Sequence, residues 1–124
     1  MPSPEEIRAL VTSYVEMMCA TRVDDIIELF DYNATAVYPV GAVPMQCNEA
    51  LRRFYGLTAP MLQVEVSGPI CVAGNHCAFP VQAQLTVGED TSYLDATDVF
   101  SFNEAGKITS MRAFWNPDEL RPER

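Results

Sequence analysis

Apolar and polar residues alternate with period two from Tyr93 to Phe102, the pattern of a strand with one face turned to a core. Leu94, Ala96, Phe100 and Phe102 take one face, and Tyr93, Asp95, Thr97, Val99 and Ser101 the other. Asp98 falls in the apolar register. A carboxyl turned into a core must find a hydrogen-bond partner or keep its proton, because desolvation disfavours the charged form. The alternative is a bulge or register slip that returns Asp98 to water. The stretch contains neither Gly nor Pro to make one, so an inward carboxyl is the expectation.

The N-terminal third has a different period. Ser3-Pro4-Glu5-Glu6 reads as a helix start, with Ser3 as N-cap, Pro4 at the first helical position and Glu6 closing a capping box. Ile7, Leu10, Val11, Tyr14, Val15 and Met18 then recur at helical spacing to about Thr21. Tyr14 stands in the middle of that stripe. Its hydroxyl needs a partner, whether a backbone carbonyl, as in an ordinary core tyrosine, or a functional group. A second short helix is predicted from Asp24 to Phe30, followed by turn residues Asp31-Tyr32-Asn33. Ala34 to Tyr38 reads as a strand stopped by Pro39, with Gly41 and Pro44 in the loop beyond. A third helix opens at Asn48-Glu49 and runs to about Tyr55, ended by Gly56 and Pro60.

From Leu62 onward strands dominate. Leu62, Val64 and Val66 alternate with Gln63, Glu65 and Ser67, and Ala73-Gly74-Asn75-His76 reads as a hairpin turn. A strand from Cys77 to Val87 turns at Gly88-Glu89-Asp90 into the Asp98 strand. Asn103 to Gly106 is another turn, and Lys107 to Trp115 the last strand, with Pro117 and Pro122 ending regular structure. Helices followed by an antiparallel meander predict one α+β domain over residues 1–124, with helices on one face of a strongly curved sheet.

The chain's 124 residues are enough to bury a core. Its net charge of −9, from 17 acidic and 8 basic residues, excludes nucleic acid and anionic membrane surfaces as partners, since no basic patch can neutralise phosphates. No apolar run approaches the roughly 20 residues of a membrane span. The acidic N-terminus does not read as a signal peptide, so a cytoplasmic protein is expected. Cys19, Cys47, Cys71 and Cys77 form no Cys-x-x-Cys pair, and His76 is the single histidine. A metal site is therefore not expected. Cys71 and Cys77 flank a turn and could approach each other, although free buried thiols fit a cytosolic protein better.

Several residues then act together. These are Tyr14 in the first helix, Ala34-Thr35 leading to Pro39-Val40-Gly41, and Phe54-Tyr55 in the third helix, then Leu94-Asp95 with Asp98, and finally Met111 to Trp115. In this order and spacing the chain resembles, over nearly its whole length, the bacterial ketosteroid isomerases of the nuclear transport factor 2-like, SnoaL-like superfamily. The resemblance implies a cone-shaped fold, no cofactor, and a homodimer formed through the outer face of the meander. It also implies an oxyanion hole in which Tyr14 and a protonated Asp98 donate to a steroid 3-oxygen, with Tyr55 bonded to Tyr14. Met18, Phe54, Tyr55, Val81, Ala83, Leu94, Ala96, Met111 and Trp115 would line the ligand. Ala83 and Ala96 are smaller than the family's usual residues and would widen the cavity toward other ligands.

One position departs from the family. Its general base is an aspartate directly before Pro39, where this chain has Tyr38. A phenol with an ordinary pKa near ~10 stays protonated at neutral pH and takes no proton from carbon. Trp115 matches the indole that supports that base in some members; plain core packing is its other reading. Three functions follow: an isomerase acting on a 3-oxo steroid or similar flat apolar ketone with Tyr38 or water moving the proton; a ligand-binding homologue; or a cyclase, dehydratase or epoxide hydrolase with Tyr38 as general acid. Asp31 and Asp95, the nearest other acids, are expected outside the pocket.

Overall fold

The structure is a computed structural model that describes residues 2–46 and 48–124. Its first helix, α1 (Pro4–Cys19), begins at the capping box. The Glu6 N–H donates to Ser3 Oγ at 3.1 Å and the Ser3 N–H to Glu6 Oε1 at 2.9 Å. Ile7, Val11, Tyr14 and Met18 form the buried stripe of α1. The helix stops two residues before the expected Thr21, which adopts a left-handed φ of 56°.

Two boundaries differ from the periodicity for tertiary reasons. Helix α2 covers only Val23–Glu28, and Phe30 opens strand β1 (Phe30–Val37) instead of closing the helix. The Ile108 N–H donates to the Leu29 carbonyl at 2.9 Å, so the chain is paired with the last strand before the helical pattern has run out. The turn residues still leave a mark: Asp31 Oδ2 accepts from the Asn33 N–H at 3.0 Å, and the register slips between Phe30 and Thr35. Helix α3 (Asn48–Thr58) continues through Gly56, which is not left-handed, into a 3₁₀ turn at Ala59–Met61. Burial of Leu51 and Tyr55 outweighs the cost of about 1 kcal/mol that glycine imposes inside a helix.

The remaining strands are β2 (Leu62–Val66), β3 (Cys71–Ala73), β4 (His76–Val87), β5 (Asp90–Phe102) and β6 (Ile108–Phe114). The sheet order is β1-β6-β5-β4-β2, with β3 pairing the start of β4. Only β1 and β6 run parallel; the other pairs are antiparallel. Pro80, which lacks an N–H, sits where the neighbour of β4 changes from β3 to β2. Gly68 crosses that gap so closely that an added Cβ would lie 2.9 Å from Pro80 Cγ. The Ser67 N–H donates to the Pro80 carbonyl at 3.0 Å.

The inner face of the sheet carries Phe79, Val81 and Ala83 on β4, Leu94, Asp98, Phe100 and Phe102 on β5, and Ile108, Met111 and Ala113 on β6, all buried. The three helices supply Ile7, Val11, Tyr14, Met18, Ile26, Ile27, Leu51 and Tyr55 to the same core. Trp115 lies just past the end of β6. Beyond it Pro117 opens a further 3₁₀ turn at Pro117–Glu119, and Arg121 pairs back onto Tyr93 with bonds of 2.7 and 3.0 Å.

Cys71 lies opposite Ala78, whereas Cys77 lies opposite Val72. The two thiols therefore point to opposite faces, Cys71 exposed and Cys77 buried, and both are free. Cys19 is half-buried and free, with its Sγ donating to the Val64 carbonyl at 3.2 Å. The expectation of buried thiols thus fits Cys77 and not Cys71; Cys47 lies outside the described residues.

Candidate active site

Asp98 does face inward. Its register partners are Phe79 on β4 and Ala113 on β6, and it is 7% exposed. Among the described residues it is the only buried carboxyl. Desolvation is the single influence on its ionisation, and it pushes the carboxyl up to about 7. No hydrogen bond or neighbouring cation among the described residues opposes that shift.

Tyr14 reaches the same region from the middle of α1. Its ring packs edge-on against Phe100 at 5.1 Å and Tyr55 at 6.1 Å. Its hydroxyl shares a hydrogen bond of 2.9 Å with the Tyr55 hydroxyl, buried in α3. Burial, with Tyr55 and Asp98 nearby, holds the Tyr14 proton far more tightly than in a free phenol. Tyr38 follows β1 and reaches the same region, its ring 4.9 Å from Phe54 and 5.5 Å from Trp115. Burial and then the Asp98 carboxyl push its hydroxyl well above the ordinary range as well.

These three groups share one small cavity with Met18, Val64, Val81, Ala83, Leu94 and Ala96. Its free space is about 20 Å³, room for a single water. The two alanines therefore do not open a wide cavity, because the Tyr38 and Met18 side chains also stand on its wall. A fused-ring ligand enters only if side chains on the rim move. Tyr38, Val64 and Ala96 are the partly exposed members of the wall.

Five of the apolar residues expected to line the ligand, Met18, Val81, Ala83, Leu94 and Ala96, are on this wall. Tyr55, Phe54 and Trp115 stand one layer behind: Tyr55 bonds Tyr14, and Phe54 and Trp115 pack on Tyr38. Met111 is in the core on β6 rather than on the wall. Val64 was not foreseen as a site residue. The alternation of β2 marks it as inward, but pairing with Ala83 is what brings it to the cavity. The Trp115 Nε1–H is buried without an acceptor, so the supporting indole has nothing to support.

The other candidate acids are elsewhere. Asp95 is exposed and ion-paired with Arg121 at 3.2 Å. Asp31 is engaged by Asn33 and Asn103. No cluster of metal-ligating side chains is present among the described residues.

Helices packed over a curved, mixed sheet, with a buried carboxyl and two hydroxyls in an apolar cavity, define a class of small cone-shaped α+β proteins. Residues 11–111 match the SnoaL-like domain, and the chain belongs to that family, within the nuclear transport factor 2-like superfamily. The chain is 33% identical over 116 residues to the steroid Δ-isomerase of Nocardioides simplex, covering 93% of this chain and 94% of that one. Among solved structures it is similar to SalBIII, an epoxide hydrolase/cyclase-like enzyme described in pyran ring formation in the polyether salinomycin. That similarity has a TM-score of 0.93 at 26% identity and covers 99% of this chain and all of the other. The fold and the resemblance read from the sequence both hold.

Proposed function

We propose that this chain is a steroid Δ-isomerase-like enzyme that binds a 3-oxo steroid or another flat, largely apolar ketone and moves a C=C bond by proton transfer. The observation that carries the reading is Asp98: a buried carboxyl with no partner among the described residues, sharing a nearly closed, largely apolar cavity with the Tyr14 hydroxyl. A pocket of apolar walls with a few polar groups selects an apolar body carrying one oxygen function. Below neutral pH the Tyr14 hydroxyl and the protonated Asp98 both donate to that oxygen, and Val81, Ala83, Leu94 and Ala96 pack on the carbon skeleton. The steroid Δ-isomerase relative at 33% identity supports the reaction class. Two such chains pair through the outer face of the sheet.

The test is to mix purified protein with a Δ5-3-oxo steroid and follow conjugated-enone absorbance. Turnover above the buffer rate is expected, and its absence at every pH overturns the isomerase reading. A second reading, a SnoaL-like cyclase or hydrolase or a ligand-binding homologue, is favoured by Tyr38 in the position of the base and by the likeness to SalBIII. A phenolic steroid that binds without any enone being formed would select it.

A further inference from the structure

The three proton-bearing groups on the cavity wall are not equivalent. Tyr14 and Tyr38 are phenols whose buried surroundings keep their protons on. Each can donate a hydrogen bond, and neither takes a proton from carbon at neutral pH. Asp98 is the one carboxyl on the wall. The groups that face it from the packed elements are Tyr14 on α1, Tyr38 beyond β1, Tyr55 on α3 and Cys77 on β4. Burial disfavours ionisation in every one of them, with the Cys77 thiol pushed up to about 11. Asp31 and Asp95 are held outside.

Resting on the proton-transfer reading of this cavity, we infer that Asp98 is its proton acceptor, and that Tyr14 and Tyr38 are the two hydroxyl donors that hold the substrate oxygen. This reverses the roles implied by the resemblance, in which an aspartate before Pro39 takes the proton and Asp98 donates.

In the step, the Asp98 carboxylate takes a proton from the carbon beside the carbonyl. The C–H electron pair becomes a new C=C, and the carbonyl π pair moves onto oxygen. The oxyanion accepts hydrogen bonds from the Tyr14 and Tyr38 hydroxyls. The neutral carboxyl, whose O–H exchanges with water while the dienolate is bound, then gives a proton to the far carbon of the dienolate, the carbonyl re-forms, and Asp98 is a carboxylate again. No other reactant enters. A carboxyl titrating at about 7 is half ionised at neutral pH and a stronger base than an ordinary one. Its protonated half offers a ligand oxygen a third donor but cannot turn substrate over. Affinity and turnover therefore run in opposite directions across neutral pH.

The experiment gives the full chain a subsaturating Δ5-3-oxo steroid in D₂O across a range of pH. Enone absorbance and deuterium incorporated at carbon are both read, and a phenolic steroid reports affinity. The rate is expected to rise about tenfold per pH unit below neutrality and to level above it, while phenolic-steroid affinity falls. Asp98→Asn, whose amide still donates, should lose roughly 10²–10⁴-fold in exchange. It should keep phenolic-steroid binding, now independent of pH, and that binding also shows that the variant folds. Tyr38→Phe should lose on the order of 10²-fold with its pH midpoint unchanged.

A rate that falls as pH rises through neutrality overturns the inference, and the wild-type profile decides this alone if the variant does not fold. So does an Asp98→Asn variant nearly as active as wild type, since an amide can donate but cannot accept the proton. Exchange without enone formation leaves Asp98 as acceptor and removes the steroid Δ-isomerase reading. Enone formation with the opposite profile does the reverse. Neither exchange nor enone removes both.

Discussion

At the scale of single residues, Asp98 sets a cost that depends on pH. Its folded value of about 7 lies above the ordinary 3.8, so the native state holds a proton that the unfolded chain releases. Stability from this group is complete below about pH 4, is lost as pH rises toward 7, and is level above. Between about pH 5 and pH 8 the wild type should lose on the order of 2–3 kcal/mol. Asp98→Asn should remove that slope, as urea unfolding of both proteins at the two pH values will show. Equal slopes would mean that Asp98 ionises as freely in the fold as outside it.

The neighbouring residue gives a second prediction. Tyr38→Asp puts a carboxylate beside Asp98, and two carboxyls in one small cavity do not both ionise. The new, less buried acid takes the charge and Asp98 keeps its proton. The midpoint of the rate profile should then move down toward ordinary carboxylate values. Near pH 5, where a group titrating at about 7 is only about 1% ionised, activity should rise on the order of 10²-fold. An unchanged midpoint in steady-state kinetics would show that position 38 does not communicate with the base.

At the scale of elements, the site depends on where β2 and β3 part along β4. The Gly68 backbone crosses there against the Pro80 ring, which cannot turn aside as a flexible chain would. Gly68→Ala should destabilise the fold by about 1–3 kcal/mol through overpacking. The strain would fall at the end of β2, the strand that carries Val64 to the cavity wall. A drop in Tm with weaker phenolic-steroid binding is expected, and an unchanged Tm would show that the strand ends yield freely.

At the scale of the molecule, the outer face of the sheet is left incompletely covered. Phe114 is 41% exposed there, with the Arg112 guanidinium 5.6 Å from its ring centre, and Val99 is partly buried on the same face. Pairing of two chains through this face would cover both. Sedimentation at micromolar concentration should give twice the 13.8 kDa of one chain, and Phe114→Glu should return it to a monomer. A wild-type monomer under those conditions would reject the pairing. No helix among the described residues is long and apolar enough to cross a membrane.

What the sequence determined by itself was whatever depends on local period and chemistry. The capping box at Ser3, the stripe through Tyr14, and the inward register of Asp98 are of this kind, because a helix repeats every 3.6 residues and a strand every two. The resemblance added the family and most of the cavity's apolar wall. Only the tertiary structure decided the rest. Phe30 joined a strand because β6 was there to pair with it, and Gly56 stayed helical because Tyr55 was buried. Val64 reached the cavity, while Met111 and Trp115 did not, because sheet pairing and the layers behind Tyr38 set those distances. The near closure of the cavity was equally illegible in the sequence, since free space is what remains between side chains from elements far apart in the chain. Periodicity states which way a residue points; only packing states what it meets there.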